Sequence, residues 1–232
     1  MNVSFYQLVR PSELPKESTA DTHLFLIEIT DIKNHAADLL EVIKDTGWIS
    51  KLNPVAKISY ENVALKTIEK LIQIFRTIDC KVTKDFGEFL VSMSSGECLK
   101  TQCDHEVLPL SELWKEKEAN NHGFDFHTIA PSNKFSFGEA KYVSSGNSYP
   151  SSAEQVNRFL REGKDGIDAV HLIHFQNDEA VDNLLAGKRG AIVAFSINSD
   201  DGKKILINTL KNQDIKDLTK SCDELYIIGV KA

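Results

Sequence analysis

The chain has 232 residues, of which 41% are hydrophobic and 26% are charged, and its formal net charge at pH 7 is −7. These values are typical of a globular protein, and the length favours one domain. The acidic charge argues against a protein that binds DNA over its whole surface, and no apolar run approaches the length of a membrane span.

The start of the chain and its cysteines bear on its location. Residues 1–10 lack the basic start and the apolar core of a signal peptide, so we expect a cytoplasmic protein. The cysteines lack the spacing of a disulfide framework or a zinc ribbon, and Cys98, Cys103 and His105 lack the spacing of a zinc site. We therefore expect free thiols at all of the cysteines, namely Cys80, Cys98, Cys103 and Cys222.

The N-terminal third mixes strand and helix and contains no obvious chemistry. Thr22 to Thr30 is rich in β-branched and aromatic residues and predicts a strand. Asp31 can cap a helix over Ile32 to Asp45, and a second amphipathic helix is predicted over Glu61 to Thr77. We interpret these helices as packing or docking surface.

The next segment is predicted to be a helix followed by irregular chain. Phe86, Phe89, Leu90 and Met93 have helical spacing, and Glu88 lies off that apolar stripe. An exposed Glu in a helix needs no function, and Glu88 gains interest only because acidic strands follow it. The segment from Cys98 to His122 is polar, with a helix predicted at about 110–119.

Two predicted strands bring acidic and basic residues together. Gly123 to Ile129 contains Asp125, and Phe135 to Val143 contains Glu139 and Lys141. Because strand side chains alternate, Glu139 and Lys141 project from the same face, and pairing of the two strands would bring Asp125 beside Glu139. Two carboxylates and one ammonium are the groups that a Mg²⁺-assisted attack on a phosphodiester requires.

An ordinary interpretation of Glu139 and Lys141 is a solvated salt bridge on a strand. However, Phe135 and Phe137 share their face, so the two charges interrupt an apolar row. Charges in such a place must be paired or bound to a metal. His127 lies two residues after Asp125 and on the same face of the strand. It could contact the scissile phosphate or act as a proton donor, or it could be a core or rim histidine whose ring nitrogens hydrogen-bond to a neighbour. We favour the second interpretation.

The remaining elements predict an α/β architecture with helices on the faces of a sheet. A helix follows Ser151, where two overlapping capping boxes explain Gln155 as a cap partner. The segment from Pro131 to Lys164 carries five cations against three anions, which predicts a small basic lip formed by Lys134, Lys141, Arg158, Arg161 and Lys164. Further elements are predicted as a strand at 169–175, a helix at 178–185, a strand at 190–197, a helix at 203–210 and a strand at 224–230. On the strand at 169–175, His171 and His174 would face opposite ways.

A helix with Glu, a strand with Asp, a strand with Glu-x-Lys and a helix with an early Gln resemble the PD-(D/E)xK nuclease superfamily. The matching segment covers about 85–197. The resemblance implies a restriction-endonuclease-like core, a mixed central sheet flanked by helices, over 81–232, with an N-terminal α/β elaboration and docking surface over 1–80 in a single domain 1–232. It implies a Mg²⁺-dependent deoxyribonuclease, with Mn²⁺ as a substitute. The residues that take the family's site positions are Glu88, Asp125, Glu139, Lys141 and Gln155.

Within that resemblance, Asp125 and Glu139 bind the metal, Glu88 supports it and Lys141 orients or polarises the attacking water. One departure is that Phe124 stands where a Pro often precedes the motif Asp. The phrase Phe-Gly-Glu-Ala-Lys is more narrowly similar to the nuclease subunit of Hachiman-type anti-phage defence systems. That similarity implies DNA as substrate and a helicase or translocase subunit as partner. The lack of an apolar run of membrane-span length predicts no association with a membrane.

Two alternatives remain open on the sequence. The chain could be a non-catalytic subunit that docks a partner or nucleic acid, with Glu139 and Lys141 as a structural salt bridge. It could also be a nuclease that acts on RNA. No Walker lysine, glycine-rich dinucleotide loop or Gly-x-Ser-x-Gly elbow is present in the sequence, which disfavours ATP hydrolysis and serine-esterase chemistry.

Overall fold

The computed structural model describes residues 1–76, 82–115, 123–175 and 177–232. The strands in these ranges form one seven-stranded mixed sheet flanked by helices, which confirms the α/β class. In chain order the strands are β1 (Asn2–Val9), β2 (Asp21–Glu28), β3 (Glu106–Val107), β4 (Phe126–Ile129), β5 (Phe135–Lys141), β6 (Gly190–Ser196) and β7 (Glu224–Lys231). Across the sheet their order is β1-β2-β7-β6-β5-β4-β3.

The middle of the sheet is parallel and its two edges are antiparallel. β2, β7, β6 and β5 are parallel neighbours, whereas β1 pairs antiparallel with β2, and β4 pairs antiparallel with both β3 and β5. Every residue of β6 is buried. A nearly continuous apolar run is typical of a parallel strand covered on both faces, which is why the sequence predicted this strand well.

The helices pack against this sheet and against one another. Asp31 caps the first helix as predicted, since its side chain accepts a hydrogen bond from the Asn34 amide. The helices in the described ranges are α1 (Ile32–Lys44), α2 (Gly47–Ser50), α3 (Pro54–Arg76), α4 (Lys84–Cys103), α5 (Tyr149–Arg161), α6 (Lys164–Leu172), α7 (Asp178–Leu185), α8 (Gly202–Thr209) and α9 (Gln213–Ser221).

Two helices are longer than the sequence predicted. α3 begins at Pro54, where the Asn53 side chain accepts a hydrogen bond from the Ala56 amide and where proline costs no hydrogen bond. α4 continues to Cys103 through a stretch of small polar residues that are weak helix formers. Their burial against the sheet outweighs their intrinsic propensity, because packing supplies most of a helix's stability. β1, β3, α2, α6 and α9 were not predicted.

The strand predicted at 169–175 is wrong. This segment is the end of α6 followed by a 3-10 helix at Ile173–Phe175. His171 and His174 consequently both face α3 instead of opposite ways: Nδ1 of His171 lies 2.8 Å from the Tyr60 hydroxyl, and Nδ1 of His174 lies 2.8 Å from the side-chain nitrogen of Asn53. The apolar residues that suggested a strand have the spacing of a partly exposed helix face.

The helix predicted at 110–119 is a 3-10 helix at Ser111–Leu113, and residues 116–119 of that prediction lie outside the described residues. Cys80 and the predicted boundary between 80 and 81 also lie outside them. Cys98, Cys103 and Cys222 are free thiols, as expected. No helix in the described ranges has the length and apolarity needed to cross a bilayer.

Candidate active site

The hairpin of β4 and β5 brings Asp125, the residue before β4, beside β5. The ladder between the two strands ends at the pair of Phe126 and Gly138. The amide of Asp125 donates to the Gly138 carbonyl at 2.9 Å, and Oδ2 of Asp125 accepts from the Ala140 amide at 2.9 Å. One carboxylate oxygen of Asp125 is thereby held across the hairpin, and the predicted pairing of the two strands is confirmed.

Glu139 is a buried carboxylate with only one of its oxygens paired. Its relative exposure is 1%, and Oε1 accepts a hydrogen bond from Nζ of Lys141 at 2.7 Å. Oε2 is buried and has no hydrogen-bond partner among the described residues. A buried acceptor without a partner costs free energy, so the fold maintains here a position that a cation or a donor can occupy.

The charges around Glu139 favour a bound cation. Burial, and then the charge of Asp125, raise the pKa of Glu139 well above its ordinary value, and Lys141 opposes this shift. Burial also raises the pKa of Glu88, with Asp125 acting in the same direction and Lys141 against it. Burial alone would lower the pKa of Lys141, but Glu139 and Asp125 outweigh it and raise that pKa. The negative charges of Glu139, Asp125 and Glu88 thus all act on the ammonium of Lys141.

Glu88, on α4, lines the same pocket as Asp125, Glu139 and Lys141. Its side chain is 30% exposed and lies 4.0 Å from Nζ of Lys84. The neighbouring Gly87 packs against the ring of Tyr142 so closely that a Cβ atom would overlap the ring. A glycine is thus needed for α4 to approach the end of β5, and this approach brings Glu88 to the carboxylates of the hairpin.

Gln155 lies on α5. The prediction that it is the partner in a capping box is wrong. α5 begins at Tyr149, two residues before the predicted start, so Gln155 lies within the helix. The Ser152 hydroxyl, predicted as a cap, donates instead to the Glu139 carbonyl at 3.0 Å. This bond anchors α5 on β5, and Gln155 lines the same pocket as the hairpin residues.

One pocket of about 1000 Å³ collects all five residues that the family pattern selects. α3, which the sequence predicted as docking surface, also lines it. The predicted basic lip is corrected, because Lys141 lines the pocket and the other four cations of that segment do not. The remaining cations come from elsewhere, namely Lys66 and Lys70 on α3 and Lys115 after the 3-10 helix.

Lys115 was missed by the sequence analysis. Its Nζ lies 2.6 Å from Oδ1 of Asp168 on α6, and Oδ2 of Asp168 lies 2.9 Å from Nε2 of His127. Burial lowers the pKa of Lys115, while Asp168, and more weakly Asp125, act to raise it. Lys115 is thus a second ammonium near the carboxylates, and no local pattern could reveal it because its partner lies on α6.

The structure confirms the favoured interpretation of His127, a histidine that is satisfied by neighbouring side chains. Its ring is fully buried, and Nδ1 lies 3.2 Å from the hydroxyl of Ser111. Burial lowers the pKa of His127, and its hydrogen bond to Asp168 opposes this shift. A fully buried ring cannot reach a phosphate in the pocket.

Comparison of the chain with protein-family models, with curated proteins and with solved structures found no match. The assignment of this site therefore depends on its geometry and on the sequence pattern.

The carboxylates of the pocket bear on whether it can hold a divalent cation. The described part of the chain contains no group of three or more His, Cys, Asp or Glu side chains arranged to hold a metal. Mg²⁺, however, often uses one or two carboxylates and keeps several waters. Asp125 and Glu139 supply two, and the unpaired Oε2 of Glu139 together with its raised pKa fits a cation between them.

Replacing Glu139 with Gln is expected to stabilise the metal-free fold. A raised carboxyl pKa means that the folded protein binds the proton more tightly than the unfolded chain, so stability is lost as pH rises through the folded pKa. Gln mimics the protonated form, and in EDTA at pH 7 we expect a gain of about 1 kcal/mol, or about 2–4 °C in melting temperature. Thermal unfolding followed by circular dichroism measures it.

The gain should shrink as the pH is lowered into the range where Glu139 is protonated. Glu154→Gln on α5 is the matched control, because that side chain is 52% exposed and pairs with Arg158 at the surface. This control should change the melting temperature little at any pH. A lower melting temperature for Glu139→Gln than for the parent at every pH would contradict the raised pKa.

Proposed function

We propose that the chain is a metal-dependent deoxyribonuclease of the PD-(D/E)xK type, built on a restriction-endonuclease-like core. The observation that carries the proposal is the buried Glu139, whose Oε2 has no partner, beside Asp125 and Lys141 in one pocket. The order of elements supports the fold assignment: α4 with Glu88, the hairpin of β4 and β5, and then α5 with Gln155 follow one another as in the family pattern.

Asp125 and Glu139 would hold Mg²⁺, with Glu88 as a supporting carboxylate, and the ion would polarise the phosphate and lower the pKa of the attacking water. In the reaction the water oxygen bonds to phosphorus and its proton passes to solvent, while the bond from phosphorus to one ester oxygen breaks and the leaving oxygen takes up a proton from solvent. Glu139 must be deprotonated for this role. Its burial makes that costly without a cation.

Lys141 is best suited to stabilising negative charge. Its ammonium is held by Oε1 of Glu139 at 2.7 Å, and its raised pKa keeps it protonated at neutral pH. A protonated amine cannot accept the water's proton, but it can donate hydrogen bonds to the phosphate oxygens on which charge develops. Gln155, from α5, can orient the water or the phosphate by hydrogen bonding.

The second candidate function is a non-catalytic docking subunit. It is favoured by the close pair of Lys141 and Glu139 and by the lack of a three-donor group within the described residues. In that case the pair is a structural salt bridge and no metal binds. The unpaired Oε2 of Glu139 argues against it, since a purely structural pair would be expected to use both oxygens.

We also propose that DNA is delivered by a helicase or translocase subunit, as the resemblance implies. The acidic charge of the chain supports a need for delivery, and exposed apolar residues on α3 outside the pocket, such as Val55 and Leu65, offer a contact surface. The isolated chain is then expected to bind DNA weakly. Nanomolar binding to duplex DNA in physiological salt by the chain alone would contradict this part.

The deciding experiment is incubation of the purified chain, with and without a candidate helicase partner, on supercoiled plasmid and on circular single-stranded DNA in Mg²⁺. Opening of a circle reports endonuclease activity directly. RNA of matched length serves as competitor and tests the RNA alternative. Intact circles under all conditions, including with the partner, would leave the docking function as the better proposal.

A further inference from the structure

A second wall of the pocket is formed by one face of α3. The residues of this helix that line the pocket recur every three or four positions, so they share one face. From Ser59 to Lys70 this face extends about 16 Å along the helix axis. Its polar members are Ser59, Asn62, Lys66, Thr67 and Lys70.

The charges on this wall are available to a ligand. Lys115 and Lys141, which line the pocket from other elements, are each paired with a carboxylate. Lys66 and Lys70 are exposed and form no salt bridge within the described ranges. The acidic residues of α3 do not line the pocket. The wall therefore presents two free ammonium groups, about 6 Å apart along the axis, among neutral hydrogen-bond donors.

A row of cations and neutral donors fits the backbone of a nucleic acid strand. Lys, Asn, Ser and Thr side chains are common phosphate and sugar contacts, and they do not depend on sequence. Phe89 on α4 is a half-buried aromatic side chain that lines the same pocket, and an aromatic ring can stack on a base. The pocket thus combines backbone contacts with a stacking surface.

The size of the pocket selects one strand. A volume of about 1000 Å³ is at the upper end of what encloses a drug-sized ligand, which is room for a few nucleotides and too little for a duplex. Glu139 is 1% exposed, so the phosphate to be cut must enter the pocket. An unpaired strand can do so more readily than a duplex, whose phosphates remain on a wide cylinder.

We propose that the α3 face of Asn62, Lys66 and Lys70 holds the sugar–phosphate backbone of a single DNA strand, and that the scissile strand enters the pocket unpaired. The inference rests on the proposed function and adds to it the form of the substrate and the surface that holds it. A partner that separates strands would supply this form of DNA.

The test is binding without cleavage. Fluorescence anisotropy of a fluorescein-labelled oligodeoxythymidine is measured in EDTA, with parent and variant chains, across a range of salt concentrations. Lys66→Ala and Lys70→Ala should each weaken binding about two- to fivefold, as for an exposed ion pair. Each should also reduce the slope of log K against log salt by about 0.7, as for loss of one phosphate contact on a single strand.

Lys57→Ala is the matched control, because Lys57 is an exposed lysine of α3 that does not line the pocket. It should leave both affinity and salt slope close to the parent values. The same oligonucleotide annealed to its complement should bind more weakly than the single strand. Equal losses for Lys57→Ala and Lys66→Ala, or tighter binding of the duplex, would overturn the inference.

Failure of the inference and failure of the proposed function can be told apart. If the single strand binds through Lys66 and Lys70 but Mg²⁺ produces no cleavage with any partner, the nuclease proposal fails and the binding surface stands. If Mg²⁺ produces cleavage while Lys66→Ala and Lys70→Ala bind and cut like the parent, the inference fails and the nuclease proposal stands.

Discussion

Glu139→Gln and Lys141→Ala are each expected to reduce DNA cleavage by roughly 100- to 1000-fold, the range seen when one preorganised electrostatic group is removed. Glu139→Gln removes the charge of the buried carboxylate whose pKa is raised by burial and by the charge of Asp125. Lys141→Ala removes the ammonium that Oε1 of Glu139 holds at 2.7 Å. The measurement is the rate of plasmid opening in Mg²⁺ under conditions in which the parent is active.

Glu154→Gln is the matched control for the first variant, because it makes the same change at an exposed position of α5. It should cut at the parent rate. Circular dichroism spectra and melting curves establish that the variants are folded, and for Glu139→Gln the melting temperature in EDTA should not fall. A variant of Glu139 or Lys141 that cuts DNA at the parent rate would show that these residues are not part of a catalytic site.

Removal of divalent cations with EDTA is expected to abolish cleavage, and Mg²⁺ or Mn²⁺ should restore it. Because the pKa of Glu139 is raised, protons compete with the metal at higher pH than at an ordinary carboxylate. The metal concentration needed for half-maximal activity should therefore rise as pH falls toward the acidic range. Cleavage that persists unchanged in EDTA would contradict a metal-dependent mechanism.

Metal binding also has a readout that does not need activity. A ligand at about 100 times its dissociation constant stabilises the folded state by about 2.7 kcal/mol. For a chain of this size that corresponds to a rise in melting temperature of about 5–11 °C. Mn²⁺ should produce this rise in the parent and in Glu154→Gln, but much less of it in Glu139→Gln. An equal rise in all three chains would place the metal elsewhere.

Local sequence pattern predicted the hairpin and its pairing because both depend on neighbouring residues. Alternation along the two strands put Glu139 and Lys141 on one face, and the short connection between the strands favoured antiparallel pairing. The hydrogen bonds that join Asp125 to Gly138 and Ala140 then hold its carboxylate beside β5. The buried strand β6 was predicted for a similar reason, because its apolar run is continuous.

Other parts of the pocket could not be predicted, because distant segments supply them. The ammonium of Lys115 is held by Asp168 on α6. Asp168 directly precedes the segment 169–175, which the sequence predicted as a strand and which the structure shows to be helical. Local pattern assigned Gln155 as a capping-box partner, but α5 begins at Tyr149 and places this residue inside the helix. In both cases a locally plausible assignment was decided by packing between elements that lie far apart in the chain.

The sequence by itself determined the α/β class, the hairpin of β4 and β5, and the acidic and basic residues beside this hairpin. Strand alternation and apolar runs are local properties, so they can be recognised without the tertiary structure. Only the tertiary structure decided that Glu139 is buried with one oxygen unpaired and that Glu88 and Gln155 reach the same pocket. It also decided that α3 forms a wall of that pocket. These features depend on how helices pack on the sheet, which follows from the shape and burial of the whole chain.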